Sequence, residues 1–271
     1  MFRNREQEDH RMLARRDLIK SMGAGLGALP LATVLANPDF ARAAADSLQM
    51  VEGTLADGRK VGAALAMPAT TPAPAVMLIH EWWGLNDQIK AVAADFAQQG
   101  YIALAIDLMG GEMATTPDGA KALTGKVADD PQTAVETCTL WTDFLKTHDA
   151  GTGRVGTCGW CFGGGWSLNA SLASPVDATV VYYGRVNKEA AELAPLSGPV
   201  LGHFATQDKF INKPMVDGFV AAMADAGKSL TVYWYEADHA FANPTGSRYD
   251  QEDAALAWER TTGFLAQNLQ L

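Results

Sequence analysis

Short, wholly apolar runs set between amphipathic stretches restrict this chain's fold more than any other feature. Ala75-Val76-Met77-Leu78-Ile79 is continuous, too short for a helix, and ends at polar His80-Glu81. Asn86 then opens a pattern in which Ile89, Val92, Ala93 and Phe96 recur at helical spacing until Gly100. Residues 101–107 read as the next strand. Asp130-Pro131, a capping residue followed by proline, opens a helix with Val135, Cys138, Trp141 and Leu145 on one face. Residues 154–157 lead into a Gly-rich turn and a further helix, and 177–183, 199–205 and 230–235 read as strands. Asn212-Lys213-Pro214 opens a helix carrying Val216, Phe219, Val220 and Met223, closed by Gly227. Ala254, Trp258, Thr261 and Leu265 line the last helix. The alternation predicts an α/β fold, a mostly parallel central sheet with helices on both faces.

Composition narrows the function. The chain has 271 residues, 48% hydrophobic and 19% charged, which suits a packed domain rather than a disordered or fibrous chain. Its formal charge is −10 and no Lys/Arg cluster lies beyond the N-terminus, so nucleic acid is not an expected partner. Three cysteines cannot staple a chain of this length. His80, Glu81, His203 and Asp208 are conceivable metal ligands, but no paired ligand spacing such as H-E-x-x-H occurs, and neither metal nor cofactor is expected.

The N-terminus reads as an address. Arg3, Arg5, Arg11, Arg15, Arg16 and Lys20 make a basic start, followed by a Gly-rich, mildly apolar stretch too short for a stable membrane anchor. Arg15-Arg16-Asp17-Leu18-Ile19-Lys20 resembles a twin-arginine export signal, and 41–43 or 43–45 supply the small residues a signal peptidase reads. The reading expects residues 1–45 to be a removable leader recognised by the twin-arginine export machinery. Residues 46–271 would then be the domain, a periplasmic monomer in a bacterium. Removing the leader takes away seven basic and five acidic side chains, moving the net charge from −10 to −12.

The polar residues at the ends of the apolar runs carry the chemistry. Gly159-Trp160-Cys161-Phe162-Gly163, between a strand and a helix, matches a nucleophile elbow with sulfur in place of oxygen. Glycines flank the sharp turn because a Cβ there would clash, and the helix N-terminus favours thiolate. Asp208 and His239 follow in the order of acid and base, each just past a strand. Glu81 sits in Ile79-His80-Glu81-Trp82-Trp83-Gly84, where a carboxylate near a thiol would hold it protonated. The backbone N–H groups of Phe162 and Trp82 are the expected oxyanion donors. Cys158-Gly159-Trp160-Cys161 also forms a C-x-x-C pair, so a thiol-disulfide oxidoreductase is the competing reading. A non-catalytic binding protein on the same fold is a third.

Taken together, H-E-W-W-G, G-W-C-F-G-G, T-Q-D and D-H-A-F resemble the dienelactone hydrolase (carboxymethylenebutenolidase) family of α/β-hydrolases. The resemblance runs from Val51 to Leu271 and implies hydrolysis of a small-molecule ester or lactone through a cysteine acyl-enzyme. By motif, Cys161 is the nucleophile, His239 the base, Asp208 the orienting acid and Glu81 the carboxylate that interacts with the resting thiol. Lactone-hydrolysing members grip a substrate carboxylate with arginines. Here 107–149 contains no Arg, and the run after the histidine reads His239-Ala240-Phe241-Ala242-Asn243. Neutral substrates resting on Trp82, Trp83 and Trp160 are therefore expected to be preferred, with Arg185, after Tyr182-Tyr183-Gly184, as the counter-candidate for anion binding.

Overall fold

The computed structural model describes residues 29–270. Eight strands form one sheet in the order β1-β2-β4-β3-β5-β6-β7-β8. They are β1 (Gln49–Thr54), β2 (Lys60–Ala66), β3 (Ala73–Ile79), β4 (Ile102–Ile106), β5 (Gly151–Trp160), β6 (Ala178–Tyr182), β7 (Val200–Ala205) and β8 (Leu230–Tyr235). β2 is antiparallel to both β1 and β4, and the remaining pairings are parallel. The expected mostly parallel sheet is present. Its antiparallel edge was not legible, because Gln49–Thr54 is polar and Lys60–Ala66 is rich in Gly and Ala.

Side-chain alternation divides the core between the two faces. Val76, Leu78, Ala103 and Cys158 pack on one face with Ile89, Val92 and Phe96 of α3 (Asp87–Gln98) and Leu265 of α9 (Gln251–Leu269). Ala75, Met77, Ile79 and Leu104 pack on the other with Cys138, Trp141 and Leu145 of α5 (Pro131–Lys146) and Ala170 of α6 (Phe162–Ala173). Val216, Phe219 and Met223 of α8 (Lys213–Asp225) join Val181 and Phe204 in a third cluster. Val220, expected on that buried face, is exposed, because it lies one residue past Phe219 on the turn. The short α7 (Ala190–Leu193) packs beside α8, and α4 (Pro117–Asp129), capped by Thr116, buries only Ala120, Leu123 and Val127.

The packed body also begins earlier than expected. α1 (Leu31–Ala36) and α2 (Pro38–Ala45) lie against α3; Val34, Leu35 and Ala41 are buried in the first cluster, and Ala45 is buried as well. Asn37 caps α2 through Asp39 N and Phe40 N, and Gln88 Nε2 donates to Leu35 O at 3.4 Å. The expected boundary after residue 45 therefore does not coincide with the start of the packed structure. The twin-arginine run at 15–20 lies outside the described residues.

Candidate active site

Five neighbouring parallel strands deliver the chemistry to one edge of the sheet. Glu81 follows β3, Cys161 follows β5, Tyr183 follows β6, Asp208 follows β7 and His239 follows β8. Loops at strand carboxyl ends are where such sheets place reactive groups.

The elbow has the geometry its glycines imply. Cys161 is held at φ 54° and ψ −113°, at the head of α6. A Cβ on Gly159 would strike the backbone of Gly163, and one on Gly163 would strike the carbonyls of Ile79 and His80. The helix can therefore sit directly behind β3 and β5 only with glycine at both positions. Tyr183 (φ 35°) and Ala240 (φ 65°) are the other non-glycine residues with positive φ among the described residues. All three border the same site, where surrounding packing holds the strained backbone.

Cys161, His239 and Asp208 are hydrogen-bonded in series. His239 Nδ1–H donates to Asp208 Oδ2 at 2.6 Å, and Nε2 faces Cys161 Sγ at 3.1 Å. Asp208 Oδ1 also accepts from the N–H groups of Phe210 (2.7 Å) and Ile211 (2.9 Å). Burial pushes the Asp208 carboxyl upward, but His239 and these backbone donors outweigh it and hold it below the usual range. The thiol goes the other way. Burial first, then the charges of Glu81 and Asp208, push Cys161 up to about 12 against the Phe162 N–H and Arg248. The helix N-terminus was expected to favour thiolate, and here desolvation wins. The resting arrangement is a neutral thiol donating to Nε2 of an imidazole whose proton sits on Nδ1.

Glu81 is buried and bonded on both oxygens. Asn243 Nδ2 donates to Oε2 at 2.6 Å and Tyr183 Oη to Oε1 at 3.4 Å. Burial raises its carboxyl pKa, with Asn243, His239, Tyr183 and Arg248 opposing. The loop itself is braced by fully buried His80, whose Nδ1–H donates to Glu81 O (2.6 Å) while Nε2 accepts from Leu108 N (3.2 Å). One neutral tautomer satisfies both bonds, and burial keeps the ring from protonating. Its ring also stacks on Phe162. His203 serves a separate network with Tyr235 and Thr261 beneath α9. His80 lies in the H-E-W-W-G run and Asn243 in the run after His239, but nothing in those runs, or around Tyr183, assigns the three a part in holding Glu81. Only spatial proximity to Glu81 reveals them.

Two cavities meet this edge. One of about 410 Å³ is walled by Leu31 and Leu35 of α1, Ile89, Trp258, Trp160 and Glu81. The other, about 1200 Å³, is open and lined by Cys161, Phe162, Trp166, Lys121, Arg185 and Lys188, with Glu189 and Glu192. Trp160 is buried and stacked on Tyr182 on the smaller side, while Trp82 and Trp83 meet edge to face in the loop after β3. The three tryptophans thus do not form one platform. Arg185 is exposed and forms no ion pair among the described residues, on the wall of the cavity that holds the sulfur. Trp82 N–H donates to no backbone carbonyl among the described residues. Cys158 is fully buried on β5, and no disulfide joins it to Cys161.

Comparison with known proteins agrees with this architecture. Residues 61–269 match the model of the dienelactone hydrolase family. The carboxymethylenebutenolidase of Pseudomonas putida is 30% identical over 233 residues, covering 78% of this chain and 92% of the relative. Protein usf of Aquifex pyrophilus is 31% identical over 230 residues, covering 82% and 99%. Among solved structures, a dienelactone hydrolase-like promiscuous phosphotriesterase from metagenomic libraries shares the fold, at a TM-score of 0.74 and 21% identity over 82% of this chain and 99% of that one. With the α/β-hydrolase sheet, the elbow and the family match in agreement, this chain belongs to the dienelactone hydrolase family.

Proposed function

We propose that this protein, an ester or lactone hydrolase by family, acts through a Cys161 acyl-enzyme with a Cys-His-Asp triad. The observation that carries the reading is the unbroken series Asp208–His239–Cys161 at 2.6 and 3.1 Å. His239 Nε2 takes the thiol proton as sulfur attacks the substrate carbonyl carbon. The resulting oxyanion is met by the N–H groups of Phe162 and Trp82. Collapse breaks the bond to the alcohol oxygen, which leaves with the proton from His239. A water then gives its proton to His239 and attacks the thioester, releasing the acid and the thiol. Asp208 holds the tautomer and stabilises the transient imidazolium.

The open cavity is the entrance, since it holds both Cys161 and Phe162. Arg185 on its wall supplies a cation for a substrate bearing an anionic group at some distance from the scissile bond. Cys158 lies in the core, where burial raises its thiol well above the usual range, and this disfavours the disulfide alternative. Export by the twin-arginine route, with a periplasmic site of action, is part of the same proposal and rests on Arg15-Arg16.

The deciding experiment incubates the purified protein with short aryl esters and unsaturated lactones, quenches rapidly, and weighs the Cys161 peptide. An acyl adduct on Cys161 that forms and decays at the turnover rate is expected. Turnover without such an adduct would remove the covalent mechanism.

A further inference from the structure

Asn243 stands where the orientation of Glu81 is decided. Its Oδ1 accepts two donors from one residue, Thr245 N at 3.0 Å and Thr245 Oγ1 at 2.8 Å. Those bonds settle which way the amide points, so Nδ2 faces Glu81 Oε2 at 2.6 Å. Thr245 Oγ1 in turn accepts from Gln88 Nε2 at 3.1 Å, and the same Nε2 reaches Leu35 O at 3.4 Å. A polar chain thus runs from α1 through α3 and the loop after β8 to the carboxylate. At its end Glu81 is occupied by Asn243 and Tyr183, and the side-chain partner of the Cys161 sulfur among the described residues is His239.

We propose that Asn243 is a positioning residue: braced by Thr245, it holds the Glu81 carboxylate near Cys161 but turned to its own amide, so that the thiol pairs with His239. The inference rests on Cys161 being the nucleophile. The titratable and charged groups that face this pair are His239 and Arg248 from the loop after β8, Asp208 from the loop after β7, and the Tyr183 hydroxyl beyond β6. None of them contacts Oε2. An amide donor favours the carboxylate form, and a carboxylate near the sulfur opposes thiolate. Without the donor, burial leaves Glu81 neutral over a wider pH range, and the opposition to thiolate falls.

The test is the rate of Cys161 alkylation by iodoacetamide against pH, read by mass on the Cys161 peptide of the full chain. Asn243→Ala is expected to alkylate about five- to tenfold faster at pH 7, a shift of up to about one pH unit. Thr245→Val, at an exposed position, is expected to shift the profile the same way by less. Glu81→Gln should itself alkylate faster, and adding Asn243→Ala to it should change nothing further. If Asn243→Ala speeds alkylation equally in the Glu81→Gln background, it merely opens the site and the proposal is overturned. Unchanged rates in both Asn243→Ala and Thr245→Val overturn it as well. Ester turnover is measured separately: a shifted alkylation profile in a protein with no hydrolysis keeps the clamp and sinks the hydrolase mechanism.

Discussion

Nε2 of His239 lies 3.1 Å from the sulfur of Cys161 across 78 residues of sequence, and the imidazole proton is on the far side, bonded to Asp208. The thiol rests neutral, because burial leads the effects that carry it to about 12. In the proposed mechanism thiolate therefore forms as the proton passes to His239 during attack, and the reaction would depend on the base being in line.

Cys161→Ala should abolish ester turnover. Cys161→Ser should lose at least about a hundredfold in kcat, since a hydroxyl needs more help from the same base. Cys158→Ala should keep most turnover while costing about 1–2 kcal/mol in urea unfolding, because it leaves a small void in a filled core. Comparable losses at both cysteines, with dithiol-dependent reductase activity in the wild type, would favour the redox reading.

Asp208→Asn should lower kcat by about three orders of magnitude with KM little changed. The amide can present a donor to Nδ1 and so stabilise the wrong tautomer, and it cannot balance the imidazolium. Steady-state kinetics on an aryl ester checks this. A loss below tenfold means that His239 is oriented by something else.

Glu81 should make stability depend on pH with a definite sign. Burial raises its folded-state pKa above the unfolded value, so its favourable contribution is present below the unfolded pKa and is lost as pH rises through the folded one. Glu81→Gln is expected to melt higher than wild type at pH 7.5, with the gap closing toward pH 4. Thermal scans at both pH values decide it, and a constant gap contradicts the assignment.

Arg185 should matter for charged substrates alone. Comparing a carboxylate-bearing ester with its methyl ester, Arg185→Ala should cut kcat/KM for the acid ten- to a hundredfold more, on the order of 1.5–3 kcal/mol for a charge-assisted contact. Equal effects on both substrates would show that Arg185 shapes the cavity wall without binding the anion. In that case the preference for neutral substrates expected from the missing arginines stands.

The helical state of residues 38–45 bears on the proposed removal of a leader. Ala41 and Ala45 are buried in α2, and a peptidase needs that segment extended. Leu35→Asp in the full chain should loosen α1 and α2, speeding limited proteolysis near residue 45 severalfold, because cleavage follows local opening. Arg15→Lys with Arg16→Lys should leave uncleaved precursor in the cytoplasm. Normal export of that double variant removes the twin-arginine proposal.

Local pattern alone established the parallel strands, most of the helices they alternate with, and the placement of Glu81, Cys161, Asp208 and His239 at strand ends. Apolar runs, caps and flanking glycines are written in adjacent residues, and the elbow needs its glycines whatever lies around it. The edge strands β1 and β2, the packing of α1 and α2, and the roles of His80, Tyr183 and Asn243 came only with the tertiary structure. Polar or alanine-rich segments such as Gln49–Thr54 and Leu31–Ala36 carry weak patterns, and neighbours supply what their sequence lacks. The direction of the Cys161 shift was decided there too: a helix N-terminus is visible in sequence, but desolvation and the nearness of Glu81, 80 positions away, exist only in the folded chain.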